Sequence, residues 1–355
     1  MSAAFDTIDR HALLTIMENI IMEDELRLVR FLLSETWINT KVNGATTQTP
    51  FLSNIGTPQG DSLSPVLFVV YLEHALKDVR KSLPTPQTVF ESHLPLEITY
   101  ADDIDFVTKN EFDTVTIQEI LKKHNLYVNT DKTEITKLMK DEEDWKKTKK
   151  VGSLIGDKED VDRRKRLSTV ALNKLIHVWI RNNMIKRKSK LKLYQSLVKS
   201  VLMYNCGTWA LTQSEEDRLD TFHRKQLRKI LNIHYPTKIK NTSLYKKCQE
   251  TPLSVQILQS RWRLFGHILR RDPNIPANKA MSLFFKPSGE NKYRGRPVTS
   301  IYTVINRDLG RLDENYQLRG ENDLATLRQL ASDRPQWRAF TGKIREAAEA
   351  SKSED

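Results

Sequence analysis

Residues 98–106 read Ile-Thr-Tyr-Ala-Asp-Asp-Ile-Asp-Phe. Two short β-prone runs flank a polar break that carries the adjacent carboxylates Asp102 and Asp103, and that arrangement predicts a tight hairpin with the acids at its tip. Two ionised carboxylates held side by side repel each other, so the turn is costly unless a hard cation such as magnesium, or bulk water, screens them. Both readings fit this segment alone, because aspartate is also a favoured turn residue.

The preceding segment favours the cation. Gly56-Thr57-Pro58-Gln59-Gly60-Asp61-Ser62-Leu63-Ser64-Pro65 gathers glycines, prolines and small polar residues, then gives way to the apolar run Val66-Leu67-Phe68-Val69-Val70-Tyr71-Leu72. The pattern is a loop feeding a buried helix. Glycine allows close backbone approach to a ligand, and the Gln59 amide offers both donors and an acceptor to a base or sugar edge. A capped helix start needs only one of these residues.

Taken in order, the motifs resemble those of the reverse transcriptases of non-LTR (LINE-type) retrotransposons. Ala4-Phe5-Asp6-Thr7-Ile8 resembles the end of the first palm motif, 56–65 the template-and-nucleotide loop, and Tyr100-Ala101-Asp102-Asp103 the metal-binding box. Val128-Asn129-Thr130-Asp131-Lys132-Thr133-Glu134 is similar to the lysine motif that follows, and Val151-Gly152-Ser153-Leu154-Ile155 to the primer-grip hairpin. The resemblance implies an RNA-directed DNA polymerase that uses Mg2+, an RNA template, a DNA primer and deoxynucleoside triphosphates. It implies catalytic and metal-binding roles for Asp102 and Asp103, and nucleotide contacts for Phe5, Gln59, Gly60 and Lys132. Gly152 and Ser153 would grip the primer.

In the family register the first-motif aspartate lies five residues before the aromatic matched by Phe5, which is ahead of Met1. The chain is therefore expected to be an N-terminally truncated form that lacks this acid and the fingers. Asp6 lies on the other side of the aromatic, and its spacing to Asp9 suits the first turn of a helix over 7–17, where acids meet unpaired backbone N–H groups.

Charge is unevenly distributed. Residues 145–250 hold 26 Lys plus Arg against 9 Asp plus Glu, a difference of +17, so the remainder of this +12 chain is about −5. Cation runs commonly decorate a solvated helix face, but an excess this large after polymerase-like motifs points to a phosphate-tracking surface carried by Lys149, Lys150, Arg163, Arg164, Lys165 and Arg166. With 39% hydrophobic residues the chain can bury a sizeable core. Its longest apolar run is too short to cross a bilayer, and a cytoplasmic or nuclear location is expected. Cys206 and Cys248 have neither disulfide-framework nor zinc-knuckle spacing.

The periodicities predict an α+β fold, with a palm-like antiparallel sheet covered by helices on one face over 1–156. A helical thumb follows over 157–235, a helical thumb-distal region over 236–290, and a helical C-terminal segment with a disordered tail over 291–355. Helices are expected at 6–14, 24–37, 65–76, 110–124, 160–184, 189–211 and 214–233, and strands at 42–51 and 96–108. Lys132 is expected in a polar turn between short strands. Two other functions remain compatible with this pattern: a catalytically silent nucleic-acid-binding protein and, with a poorer fit at Phe5 and Ala101, an RNA-directed RNA polymerase. Oligomeric state is not encoded in any of these features.

Overall fold

In a computed structural model of the chain, the described residues are all but 2–3, 35, 40, 43–44, 47–49, 59, 84–96, 109–113, 140–141, 286–298 and 354–355. They form two compact units, Met1–Ile135 and Thr136–Asp355. Residues 288–297, whose glycines and arginines read as a linker in the sequence, lie outside the described residues.

The first unit is built on α3, Ser64–Ser82, which starts with Pro65 in its first turn. Leu67, Phe68, Tyr71, Leu72, Ala75, Leu76 and Val79 recur at helical spacing and are buried. Against this stripe pack α1 (Arg10–Met17), α2 (Glu23–Leu33) and α4 (Thr114–Lys123) through Leu13, Met17, Leu26, Val29, Ile117 and Leu121. Each such side chain contributes about 1.5–3 kcal/mol of transfer free energy. Helix α1 starts later than expected because Asp9, and not Asp6, is its N-cap, accepting from the backbone N–H groups of His11 and Ala12. Helix α2 stops at Leu33, and the expected helical residues 36–37 instead form a strand.

Strands β1 (Thr36–Ile38) and β4 (Phe51–Ser53) pair antiparallel, as do β2 (Lys41–Val42) with β3 (Ala45–Thr46) and β5 (Glu97–Tyr100) with β6 (Asp103–Phe106). Among the described residues the strands pair only two at a time. The single small sheet expected from the sequence is thus replaced by separate ribbons, of which β5–β6 lays Ile104 and Phe106 on the core. Two-stranded ribbons this short depend on such packing.

The second unit opens with the hairpin β7 (Lys149–Lys150) and β8 (Ser153–Leu154), then α5 (Asp157–Leu175). Its first turn is acidic, through Asp157, Glu159 and Asp160. A π-helical turn, Ile176–Ile180, extends α5, and another, Gln195–Lys199, lies between α6 (Arg187–Tyr194) and α7 (Ser200–Leu202). Helix α8, Gln213–Ile230, starts with a capping box of Thr212 and Glu215, two residues before the similar Ser214 and Asp217 pair that the sequence also offers as a start. Helices α9 (Asn241–Cys248), α10 (Leu253–Leu269), α11 (Pro276–Phe284), α12 (Ile301–Leu309), α13 (Glu321–Ser332) and α14 (Arg334–Ser353) complete it. Helical order in α14 runs into the segment expected to be a disordered tail.

Helix α10 serves two cores. Leu253 and Ile257 join Val161, Leu202 and Trp209, while Leu258, Trp262 and Phe265 join Ile305, Leu327 and Trp337. Gly266 is required there, since a Cβ would lie 2.2 Å from Trp337 Nε1. The division between units falls at Ile135, ahead of residue 156, because the β7–β8 hairpin is fastened to α5. No described helix is long and apolar enough to cross a membrane.

Candidate active site

Tyr100 pairs with Asp103, so the β5–β6 turn consists of Ala101 and Asp102. Asp102 sits at the tip, whereas Asp103 begins β6 and is exposed. The two acids thus occupy consecutive positions, one in the turn and one at the first residue of β6. Ala101 has φ +52°, the left-handed value that a two-residue hairpin demands at its first position and that glycine adopts more readily. The Met1 nitrogen donates to the Asp102 carbonyl at 3.2 Å and lies 3.7 Å from Asp102 Oδ2. Met1 thus lies beside the hairpin tip.

The loop ahead of α3 hangs on residues 5–8. Gly56 N–H donates to the Ile8 carbonyl and Thr57 N–H to the Phe5 carbonyl, each at 2.8 Å. Gly56 has φ +71°, and a Cβ on it would lie 2.8 Å from Asp6 Cα, Asp6 O and Phe5 O. Only glycine fits. Beneath this contact is Arg10, a residue that the sequence reading missed. Its guanidinium donates to the carbonyls of Gly56 (2.8 Å), Leu33 (2.6 Å), Ser53 (2.8 Å) and Ile55 (3.2 Å), and to Thr36 Oγ1 (3.1 Å). One buried cation thereby joins α1, the end of α2, both strands of the β1–β4 ribbon and the start of the loop. Burial alone lowers its pKa from the ordinary arginine value.

Phe5 is half-buried and stacks on Phe68 of α3, with ring centroids 4.5 Å apart. Gly60 has φ +97° and open space around its Cα, as a loop that admits a ligand requires. Gln59 lies outside the described residues. Lys132 is exposed in a 3₁₀ turn, Thr130–Lys132, capped by Asn129. The flanking short strands expected there are absent among the described residues; the Asn129 side chain satisfies Lys132 N–H in place of a strand partner.

In the second unit, Val151 and Gly152 form the β7–β8 turn with φ +44° and +82°. Positive φ at both positions marks a type I′ turn. The helices hold this turn by its carbonyls. Tyr204 Oη donates to Val151 O at 2.8 Å, and Arg163 Nη1 donates to Gly152 O at 2.9 Å. Arg164 also donates to Gly152 O, and to Ser153 Oγ at 3.0 Å, while its guanidinium lies 4.4 Å from the centre of the Tyr204 ring. Asp160 completes the clamp, accepting from Leu154 N–H at 3.0 Å and Trp209 Nε1 at 3.2 Å.

The cations expected to form one phosphate surface therefore divide. Arg164 is buried, and Arg163 spends its guanidinium on the turn. Lys165 pairs with Asp162 at 3.1 Å, Lys150 is half-buried, and Lys149 and Arg166 are exposed. The i, i+3 and i, i+4 spacing of Arg163 and Arg164 from Asp160 carried the signal for an inward role.

Known families can now be compared with this geometry. Residues 1–162 match the reverse transcriptase (RNA-dependent DNA polymerase) family. This reverse transcriptase match takes in the Asp hairpin, the Gly56 loop and the β7–β8 hairpin, and ends inside α5. No curated protein gives a significant match to the chain. Reverse transcriptases act on nucleic-acid templates and primers with nucleoside triphosphates, and magnesium favours the carboxylate oxygens that Asp102 and Asp103 supply. Such an ion is usually held by one or two carboxylates together with substrate phosphates and water. Among the described residues no three His, Cys, Asp or Glu side chains converge on a metal position.

Proposed function

We propose that the chain carries the palm and thumb of a LINE-type reverse transcriptase. In this reading residues 1–156 are palm, 157–235 thumb, 236–290 a thumb-distal region and 291–355 a C-terminal helical segment. The observation that carries it is the Asp102 hairpin tip beside Met1, inside a region matched to the family. Asp102 and Asp103 would hold Mg2+, which when bound stabilises charge on the reacting phosphate oxygens. Gly60 and Gln59 would border the incoming nucleotide, Lys132 would meet its phosphates, and Phe5, braced by Phe68, would face its sugar. Arg10 holds the Gly56 loop at the spacing this needs. Gly152 and Ser153, fixed by Arg163 and Arg164, would support the primer strand in the manner of a primer grip. Buried, unpaired Cys206 and Cys248 suit a reducing compartment, cytoplasm or nucleus.

Among the described residues no third carboxylate joins Asp102 and Asp103, and a two-metal site needs more than this pair supplies. Primer extension on an RNA template with magnesium tests this. Residues 1–355 are expected to give no product, while a polypeptide extended upstream of Met1 extends the primer and loses activity on Asp102→Ala. Deoxynucleotide incorporation by residues 1–355 that survives Asp102→Ala would overturn the assignment. The alternative of a silent binding protein draws on the same basic segment; it predicts duplex binding with no incorporation from the extended polypeptide.

A further inference from the structure

A cavity of about 400 Å3 opens in the second unit between the end of α5 and the end of α8. One wall is Asn173, Ile176, His177 and Arg181, and the other is Lys229, Asn232 and His234. Its lining contains no carboxylate. Among the described residues neither Arg181 nor Lys229 has an ion-pair partner, unlike Lys165 and Lys199, which are paired with acids.

Backbone geometry creates this convergence. In an α-helix, residues 176 and 181 would point roughly 140° apart. The π turn Ile176–Ile180, closed by Arg181 N–H donating to Ile176 O at 2.9 Å, widens the helix and brings Arg181 onto the face of Ile176 and His177. Turns of this kind often occur at functional positions. The opposite wall is shaped by Asn232 at φ +56°, which reverses the chain so that Lys229 and His234 line one mouth. Carbonyls at a helix end would repel an anion, but those of Leu227, Arg228 and Lys229 accept from Leu231, Ile233 and Asn232. Asn232 Oδ1 lies 3.2 Å from His234 Nε2 and orients that ring.

We propose that this cavity binds a phosphomonoester-bearing nucleotide. Arg181 and Lys229 supply two positive charges, matching the second charge that a monoester carries and a backbone diester lacks. The volume falls within the roughly 300–1,000 Å3 typical of small-ligand sites and leaves room beyond a phosphate for a sugar and base. Asn173 has an amide for a base edge, and the imidazoles of His177 and His234 offer flat surfaces. The phosphate comes from a free nucleoside monophosphate or from the 5′ end of a strand. The second source rests on the nucleic-acid reading above; the first does not.

The test uses residues 1–355 and a labelled 12-nucleotide RNA bearing either a 5′-phosphate or a 5′-hydroxyl, with adenosine monophosphate measured separately by equilibrium dialysis. If the strand end is the source, the phosphorylated RNA binds about tenfold tighter, and Arg181→Gln with Lys229→Gln abolishes the difference while the 5′-hydroxyl strand loses less. If the free nucleotide is the source, dialysis shows binding that the double variant loses. Both side chains reach the surface, so a circular-dichroism melt of the variant is expected to match the parent. Equal affinity for both RNAs without monophosphate binding overturns the proposal, and leaves the nucleic-acid reading standing if the RNAs still bind. Monophosphate binding without RNA binding upholds the cavity and removes the nucleic-acid reading. Phosphate preference retained by a folded double variant overturns the assignment to these residues.

Discussion

The two units spend their buried charges differently. In Met1–Ile135 the buried guanidinium of Arg10 faces backbone carbonyls and fixes loops, while the core beside it is apolar. In Thr136–Asp355, apart from Asp160 and Arg164 at the β7–β8 turn, the buried charges face each other across helices. Arg261 of α10 meets Asp308 of α12 at 2.7 Å, and Glu216 of α8 receives Arg307 at 2.6 Å. Asp220 of α8 accepts from Ser254 N–H at 2.8 Å and its Oδ2 lies 3.3 Å from Lys352 of α14. The first pattern positions flexible backbone, as a ligand site requires, whereas the second selects one packing of a helical scaffold. Buried ion pairs add little net stability but are expensive to break from one side.

That asymmetry predicts the largest effect. Asp308→Ala strands the Trp262 indole N–H and leaves Arg261 only its 3.4 Å contact with Glu216, since Asp308 Oδ2 accepts from Arg261 and Trp262 at 2.7 and 3.1 Å. A loss of about 3–5 kcal/mol is expected, confined to the second unit. Hydrogen exchange followed by mass spectrometry reads both units separately; equal deprotection of residues 1–135 would remove the distinction drawn here.

Acid should separate them next. His223 is buried between the rings of Tyr194 and Tyr245, and neither of its nitrogens has a hydrogen-bond partner. Burial pushes its pKa down to about 4, with Lys199 and Arg224 acting in the same direction and Glu250 and Asp220 opposing. The unfolded chain takes up this proton first, near the ordinary 6.5. Stability is therefore intact above that value, falls as pH drops through the window between 6.5 and about 4, and levels below it. About 3 kcal/mol is lost in total. His223→Phe should flatten the urea midpoint of the second unit across that window. In the first unit the Glu73 carboxyl is held below its ordinary range, chiefly by its hydrogen bonds from Arg80, so its contribution survives to lower pH and goes as pH falls through that depressed value.

Arg10→Met should cost about 2 kcal/mol by leaving carbonyls without donors. Exchange protection of Gly56 and Thr57 is expected to fall while that of α8 and α10 stays unchanged. The smallest effect concerns surface charge. Lys149→Gln with Arg166→Gln should lower the log–log salt slope of RNA binding by about 0.7–0.9 per phosphate contact removed, whereas Arg164→Gln should unfold the β7–β8 turn. A slope that drops only with Arg164 would reverse the division of cations described above.

Much of the first unit was legible because its signals are local. The apolar stripe of α3 and the β-prone runs around Asp102 need no distant partner to be read. The offset of one residue at the hairpin tip comes from the turn type, which Ala101 disguises by occupying a glycine position. Asp6 and Asp9 compete for one cap, and only the path of the chain decides for Asp9. Arg10 was invisible for another reason: its partners are carbonyls, which every residue has. In the basic segment the composition was read correctly as an excess, but charge alone does not tell which cations point inward, and neither π turn leaves a mark on periodicity.

The indoles add a practical consequence. Of the six tryptophans, Trp37 alone lies in the first unit, and it is 58% exposed. Trp209, Trp262 and Trp337 are buried in the second. Intrinsic fluorescence is consequently a one-sided optical probe: its emission shift on denaturation tracks the helical unit and is nearly blind to the unit that holds Asp102. A smooth fluorescence titration of this protein would be compatible with a candidate catalytic region that has already melted, and far-ultraviolet dichroism recorded on the same samples would expose the difference.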